Sequence, residues 1–102
     1  MNARVSQYRI IPGKIEEFAR AVDSVRPLIR KQEGFRALIT LRTGDTAAPE
    51  AMIISVWDSL EELRASEKSM FLYQALSRLL GLCQGFPAIH EHEVLASEFA
   101  AD

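Results

Sequence analysis

The run Ala51-Met52-Ile53-Ile54-Ser55-Val56-Trp57 is almost wholly apolar. A strand with one wet face alternates, and this one does not, so both of its faces are expected to leave water. Asp58-Ser59-Leu60-Glu61-Glu62-Leu63 follows at once. Asp58 or Ser59 is placed to cap a helix, with Glu61 and Glu62 in its positive first turn. Upstream, Val5 to Ile11 reads as a strand, with Val5, Gln7, Arg9 and Ile11 on one face and Ser6, Tyr8 and Ile10 on the other. Pro12-Gly13 ends it. Ile15, Phe18, Ala19, Val22, Val25 and Ile29 then recur at helical spacing up to Glu33-Gly34. Pro27 lies inside that helix, and a kink near Asp23–Arg26 is expected.

Phe35 to Thr43 is a second strand, with Phe35, Ala37, Ile39 and Leu41 on one row and a mixed row of Arg36, Leu38, Thr40 and Arg42. Gly44 to Pro49 is a polar hairpin loop. After strand three, a helix from Ser59 is expected to break around Ser66–Ser69 and resume over Met70–Leu82, with Phe71, Leu72, Ala75, Leu76, Leu79 and Leu80 as its apolar side. Ala88 to Leu95 is the last strand, and Ala96–Asp102 is a weakly defined tail. The order strand–helix–strand–strand–helix–strand, with right-handed crossovers, predicts an α+β ferredoxin-like domain over residues 1–102. Both helices then cover one face of a four-stranded antiparallel sheet.

The other face has no cover. Strand three carries Met52, Ile54 and Val56 on one side and Ala51, Ile53 and Trp57 on the other, and the pattern leaves open which side meets the helices. Leu38 adds to the apolar surface of strand two opposite its main row. Several hundred Å² would stay wet, more than monomers usually expose. A homodimer of two sheets packed face to face is expected.

Composition narrows the function classes. No apolar run approaches the roughly 20 residues of a membrane span. The N-terminus reads straight into a strand, so no leader is expected. The single Cys83 fits a reducing, cytoplasmic setting. Residues 1–42 hold nine Lys/Arg against four Asp/Glu, and residues 43–102 hold three against ten, so the two parts are expected to attract. The basic residues are scattered singly, and strand three lacks the aromatic and basic residues of an RNA-reading strand, so no nucleic-acid partner is expected. His90 and His92 share a strand face without a third ligand, so no metal is expected. Glu91 and Glu93, on the opposite face, are placed to pair with Arg4 or Arg9. Cys83 has no adjacent histidine to make it a nucleophile.

The candidate chemistry is sparse. Trp57 is either the wall of a flat aromatic pocket or the core anchor of the strand–helix turn. Ser55 shares its face and breaks the apolar run, to bond a ligand, backbone or water. Tyr8 and Tyr73 are the phenols that could assist proton transfer, or else pack at a rim.

Tyr8, Ile11-Pro12-Gly13-Lys14-Ile15-Glu16-Glu17-Phe18, Pro27, Glu33-Gly34-Phe35 and Val56-Trp57-Asp58-Ser59-Leu60-Glu61-Glu62-Leu63 together resemble the antibiotic biosynthesis monooxygenase domain of the dimeric α+β barrel superfamily. The resemblance implies a dimeric barrel with an apolar pocket between each sheet and its helices. Some relatives oxidise anthrones or quinols with dioxygen and without metal or flavin; others degrade haem. Relatives often have an acidic residue at the place of Ser55 and histidines at the places of Ser66 and Met70. The haem-degrading branch uses an asparagine, a second tryptophan and a histidine ligand; the last two fall at Ser66 and near Leu76, so that haem site is not expected. The expected function is a cofactor-independent monooxygenase for a small aromatic substrate, with Tyr8 and Tyr73 moving protons and Trp57, Ser55, Ser66 and Met70 binding substrate. The alternative is a dimer that binds a small apolar ligand without turnover.

Overall fold

The computed structural model describes residues 1–100. Seven elements follow one another: β1 (Asn2–Arg9), α1 (Ile15–Arg30), β2 (Phe35–Gly44), β3 (Pro49–Trp57), α2 (Leu60–Glu67), α3 (Met70–Leu80) and β4 (Ala88–Glu93). The four strands form one antiparallel sheet in the order β2-β3-β1-β4, which is the ferredoxin-like arrangement. The expected break between the last two helices falls at Lys68–Ser69. The part of the predicted tail at residues 101–102 lies outside the described residues.

The register settles which side of β3 faces the helices. Ala51, Ile53, Ser55 and Trp57 stand beside Tyr8, Ser6, Arg4 and Asn2 of β1, and this row packs against α1, α2 and α3 in two apolar clusters. Tyr8, Ile10, Phe18, Val22, Ala51 and Leu79 form one; Val25, Ile29, Trp57, Leu63, Phe71 and Ala75 form the other. Met52, Ile54 and Val56 point the opposite way.

Strand β2 corrects the sequence reading. A bulge between Phe35 and Ala37 shifts the pairing and flips the strand's phase. Phe35 therefore packs edge-on against Trp57 on the helix side, and Leu38 joins it there, next to both clusters. The rest of the odd row, Ala37, Ile39 and Leu41, turns to the open face, where Ile39 and Leu41 are 44% and 45% exposed. The open face is thus more apolar than Leu38 alone would have made it.

Helix α1 runs through Pro27 as one helix from Ile15 to Arg30. Proline leaves the carbonyl of Asp23 without its helical donor. Beside it, the Arg78 guanidinium donates to the carbonyl of Ser24 at 3.2 Å, tying α3 to this weak turn. Two ion pairs, Arg4–Glu67 and Arg36–Asp58, join the basic first part of the chain to the acidic second part. Glu91 pairs with Arg64 at 3.2 Å. The pairing expected of Glu91 with Arg4 does not form, because α2 brings Glu67 to Arg4 instead.

Gly34 joins α1 to β2 at φ +80°, in the left-handed region that other residues enter at a cost of roughly 1–2 kcal/mol. A side chain there would also run into Glu62. Moving Glu62 aside would disturb its cap, in which its backbone N–H donates to the Ser59 hydroxyl at 3.1 Å and its carboxylate accepts from the same hydroxyl at 3.1 Å. This is the helix cap that the sequence placed at Asp58 or Ser59, and Ser59 provides it. Gly34→Ala is expected to cost about 2 kcal/mol and lower the melting temperature by roughly 8–16 °C. A thermal melt by circular dichroism within 2 °C of the parent would contradict it.

Candidate active site

Strand β1 presents a polar row where the fold calls for apolar residues. Arg4, Ser6 and Tyr8 all face the helices, and all three are buried, as is Ser55 beside them on β3. They border a cavity of about 50 Å³ whose other walls are Val22, Val25 and Ile29 of α1, Leu38 and Ile53 of the sheet, and Phe71, Leu72, Ala75, Leu76 and Leu79 of α3. The cavity lies between sheet and helices and reaches Ile89 at the β4 edge. An apolar lining with a few placed polar groups is that of a small-molecule site, here at a fraction of the usual volume.

Tyr8 packs its ring on Phe18 at 5.2 Å. It borders this cavity and also a wider cleft at the end of the sheet, lined by Arg9, Glu50, Gln84 and Phe86. Burial pushes its phenol above the ordinary tyrosine range, so at neutral pH it keeps its proton and can donate a hydrogen bond. Ser55 accepts a hydrogen bond from the Trp57 indole N–H at 3.0 Å. Its own proton remains available to the cavity it borders.

The other sequence candidates lie elsewhere. Trp57 has no exposed surface and does not line the cavity; it stands behind Ser55 in the core, with Phe35 at 5.6 Å. Ser66 is buried, but its hydroxyl donates to the Leu63 carbonyl at 2.6 Å and accepts from Arg4 at 2.9 Å, so it holds Arg4 and does not reach the cavity. Met70 and Tyr73 are 67% and 71% exposed. The reason is helical geometry: Phe71, Ala75 and Leu79 are the buried positions of α3, and Tyr73, two residues from both Phe71 and Ala75, projects from the opposite side. His90 and His92 stand on the open face of the sheet, opposite Val5 and Ala3, with ring centroids 6.4 Å apart. The Cys83 thiol donates to the Leu79 carbonyl at 3.2 Å, and burial raises its pKa, both of which disfavour the reactive thiolate.

Arg4 is the residue that sequence reasoning missed as part of the site. The expected strand began at Val5 and left Arg4 outside it, whereas β1 runs from Asn2. The signal was non-local: Arg4 lies directly across from Ser55, and Ser55 shares its face with Trp57.

A family profile for antibiotic biosynthesis monooxygenase matches residues 1–77. The chain belongs to the antibiotic biosynthesis monooxygenase family. No curated protein matches the sequence. Among solved structures, a Nitrosomonas europaea protein of unknown function, NE2512, superposes with a TM-score of 0.80 at 19% identity, covering 99% of this chain and 95% of that one. An antibiotic biosynthesis monooxygenase superposes at 0.75 with 11% identity, over 94% of this chain and 100% of the other. A candidate antibiotic biosynthesis monooxygenase from Bordetella bronchiseptica gives 0.77 at 14% identity, with 93% and 97% covered. At such identities the likeness concerns the fold. For an antibiotic biosynthesis monooxygenase family member, the matched region takes in all of the polar row and Ser55, as well as the greater part of α3. No helix is long and apolar enough to cross a membrane among the described residues.

Proposed function

We propose that this chain is a dimeric monooxygenase that oxidises a small, electron-rich aromatic molecule of the anthrone or quinol kind, held in the cavity above Ser6, Tyr8 and Ser55. The observation that carries the reading is the buried polar row under an otherwise apolar chamber in a member of this family. Such substrates supply the electrons themselves. When an anthrone methylene becomes a carbonyl, its two C–H bonds break, one oxygen atom of dioxygen stays on the carbon and the other leaves as water. The four electrons that dioxygen takes all come from the substrate, so the overall change needs no outside reductant. The protein's tasks are to exclude water, orient the ring and manage protons. Tyr8, kept protonated by burial, is placed to donate to a substrate oxygen, and the Ser55 hydroxyl fixes the ring's polar edge.

Oxygen uptake over a panel of anthrones and hydroquinones tests this. Turnover above the uncatalysed rate is expected, and Tyr8→Phe should lower kcat about a hundredfold or more, the usual worth of a general acid. A second reading is favoured by the mostly apolar lining of the cavity and by the histidines lying on the other face of the sheet: the protein binds a small apolar molecule without turnover. Aromatic ligands that raise the melting temperature while no oxygen is consumed across the panel would decide for it. Cytoplasmic residence remains part of the proposal, on the strength of the lone cysteine.

A further inference from the structure

Arg4 is a guanidinium in a row that faces an apolar chamber. It is 5% exposed, and a charge so placed is nearly always paired. Its pairing here is incomplete. Nη2 donates to the Leu63 carbonyl at 3.1 Å and to the Ser66 hydroxyl at 2.9 Å, both neutral. Nε meets the Glu67 carboxylate only at 3.4 Å, and Glu67 is partly in water. Glu91 stands opposite Arg4 across the strand pair, but it accepts from Arg64 at 3.2 Å. Nη1 donates to no acceptor among the described residues, and it is not sealed off, since every fully buried side-chain nitrogen and oxygen among them has a partner. Burial pulls the Arg4 pKa below its usual value, with Glu67 and, more weakly, Glu91 and Tyr8 opposing.

The group is also held rigidly. The last turn of α2 fixes one edge of the guanidinium through Leu63 and Ser66, and its carbon lies 5.9 Å from the centre of the Trp57 ring. A fixed fork with unused donors binds an anionic oxygen better than a neutral one. We infer that the cavity takes an aromatic ligand bearing one anionic oxygen, a carboxylate or an ionised phenol, which Nη1 of Arg4 binds while the ring lies between α1 and α3. This rests on the cavity being a ligand site, as proposed above, and narrows the ligand from any small aromatic to an acidic one. At about 50 Å³ the chamber admits only a few waters. A ring is larger than this chamber, so its binding requires displacement of wall residues such as Leu72 and Leu76 of α3.

Two matched pairs of probes separate the outcomes: benzoate against benzamide, and 4-nitrophenolate against 4-nitroanisole, each titrated calorimetrically into the intact protein. Each anion is expected to bind about tenfold tighter or more than its neutral partner, the worth of one hydrogen bond to a charged group. On binding, 4-nitrophenol should ionise at lower pH, as read from its phenolate absorbance. Arg4→Gln should erase both preferences and the absorbance shift while benzamide affinity stays unchanged, and Arg4→Lys should keep part of each. A preference for benzoate alone would assign a carboxylate ligand, and for nitrophenolate alone a phenol. Equal binding of anion and neutral by the parent protein overturns the inference and leaves the ligand site standing, with Arg4 as a strut for α2. If none of the four probes binds, the site reading falls and this inference with it. Should Arg4→Gln fail to fold, the parent protein's two pairs still decide.

Discussion

Ile54→Glu is expected to convert a dimer into a folded monomer. On the open face of the sheet the register lines up Val5, Ile54 and Ile39 across three strands, with Ala3, Val56 and Ala37 in the row beside them and Gln7, Met52 and Leu41 in the row on the other side. Ile54 is the centre of this grid. Ile39 and Leu41 are nearly half exposed in the single chain, and His90 and His92 border the patch on β4. Several hundred Å² of such surface, at about 25 cal/mol per Å², gives on the order of 10 kcal/mol for covering the face. Association costs take back a large part of that. A carboxylate at the middle of the contact, desolvated and unpaired, adds a penalty of several kcal/mol, which is enough to reverse the balance. Because Ile54 points away from α1, α2 and α3, the subunit itself should keep its circular dichroism spectrum. Light scattering on a sizing column at micromolar concentration should give twice the chain mass for the parent and the single-chain mass for the variant. A monomeric parent would remove the dimer altogether; a dimeric Ile54→Glu would move the interface to another face.

The apolar character of both faces of strand three, which led to this expectation, was legible because it shows as a failure to alternate within seven consecutive residues. The same holds for the element order and for the break between α2 and α3: local spacing, caps and glycines carry them. What depends on pairing between distant strands was not legible. The bulge after Phe35 reverses the phase of β2 and sends Ile39 and Leu41 outward, and nothing in residues 35–43 marks it. Arg4 and Ser6 gain a place beside the cavity only when β1 is set beside β3, where they fall opposite Ser55 and Ile53. Tyr73 and Met70 are a different case. The helical spacing of Phe71, Ala75 and Leu79 already assigned the inner side of α3, and Tyr73 falls outside that stripe. Met70 entered only through alignment with relatives. Chemistry was assigned there by residue type and position in the family, and the turn of the helix placed the side chains elsewhere.

Trp57→Ala should cost about 3–5 kcal/mol of unfolding free energy, the largest loss expected from any single change in this chain. The indole has no exposed surface. It sits where the ends of β1, β2 and β3 meet α1, α2 and α3, in contact with Val25, Ile29, Leu63, Phe71 and Ala75, and edge-on to Phe35 at 5.6 Å. Truncation opens a cavity the size of a bicyclic ring, removes the donor to Ser55 and takes away the surface beneath the Arg4 guanidinium. A domain of this size holds roughly 5–15 kcal/mol in total, so the variant would melt about 15 °C lower or more. Trp57→Phe retains most of the apolar volume and loses the N–H, and about 1–2 kcal/mol is expected. Urea unfolding curves of the three proteins measure both losses, and a parallel titration with benzoate separates packing from recognition. A ring that serves as the core anchor leaves the ligand affinity of Trp57→Phe near that of the parent, because Trp57 stands behind Ser55 and not on the cavity wall. A Trp57→Ala protein within about 1 kcal/mol of the parent in stability, yet unable to bind aromatic ligands, would instead make the indole a wall of the pocket.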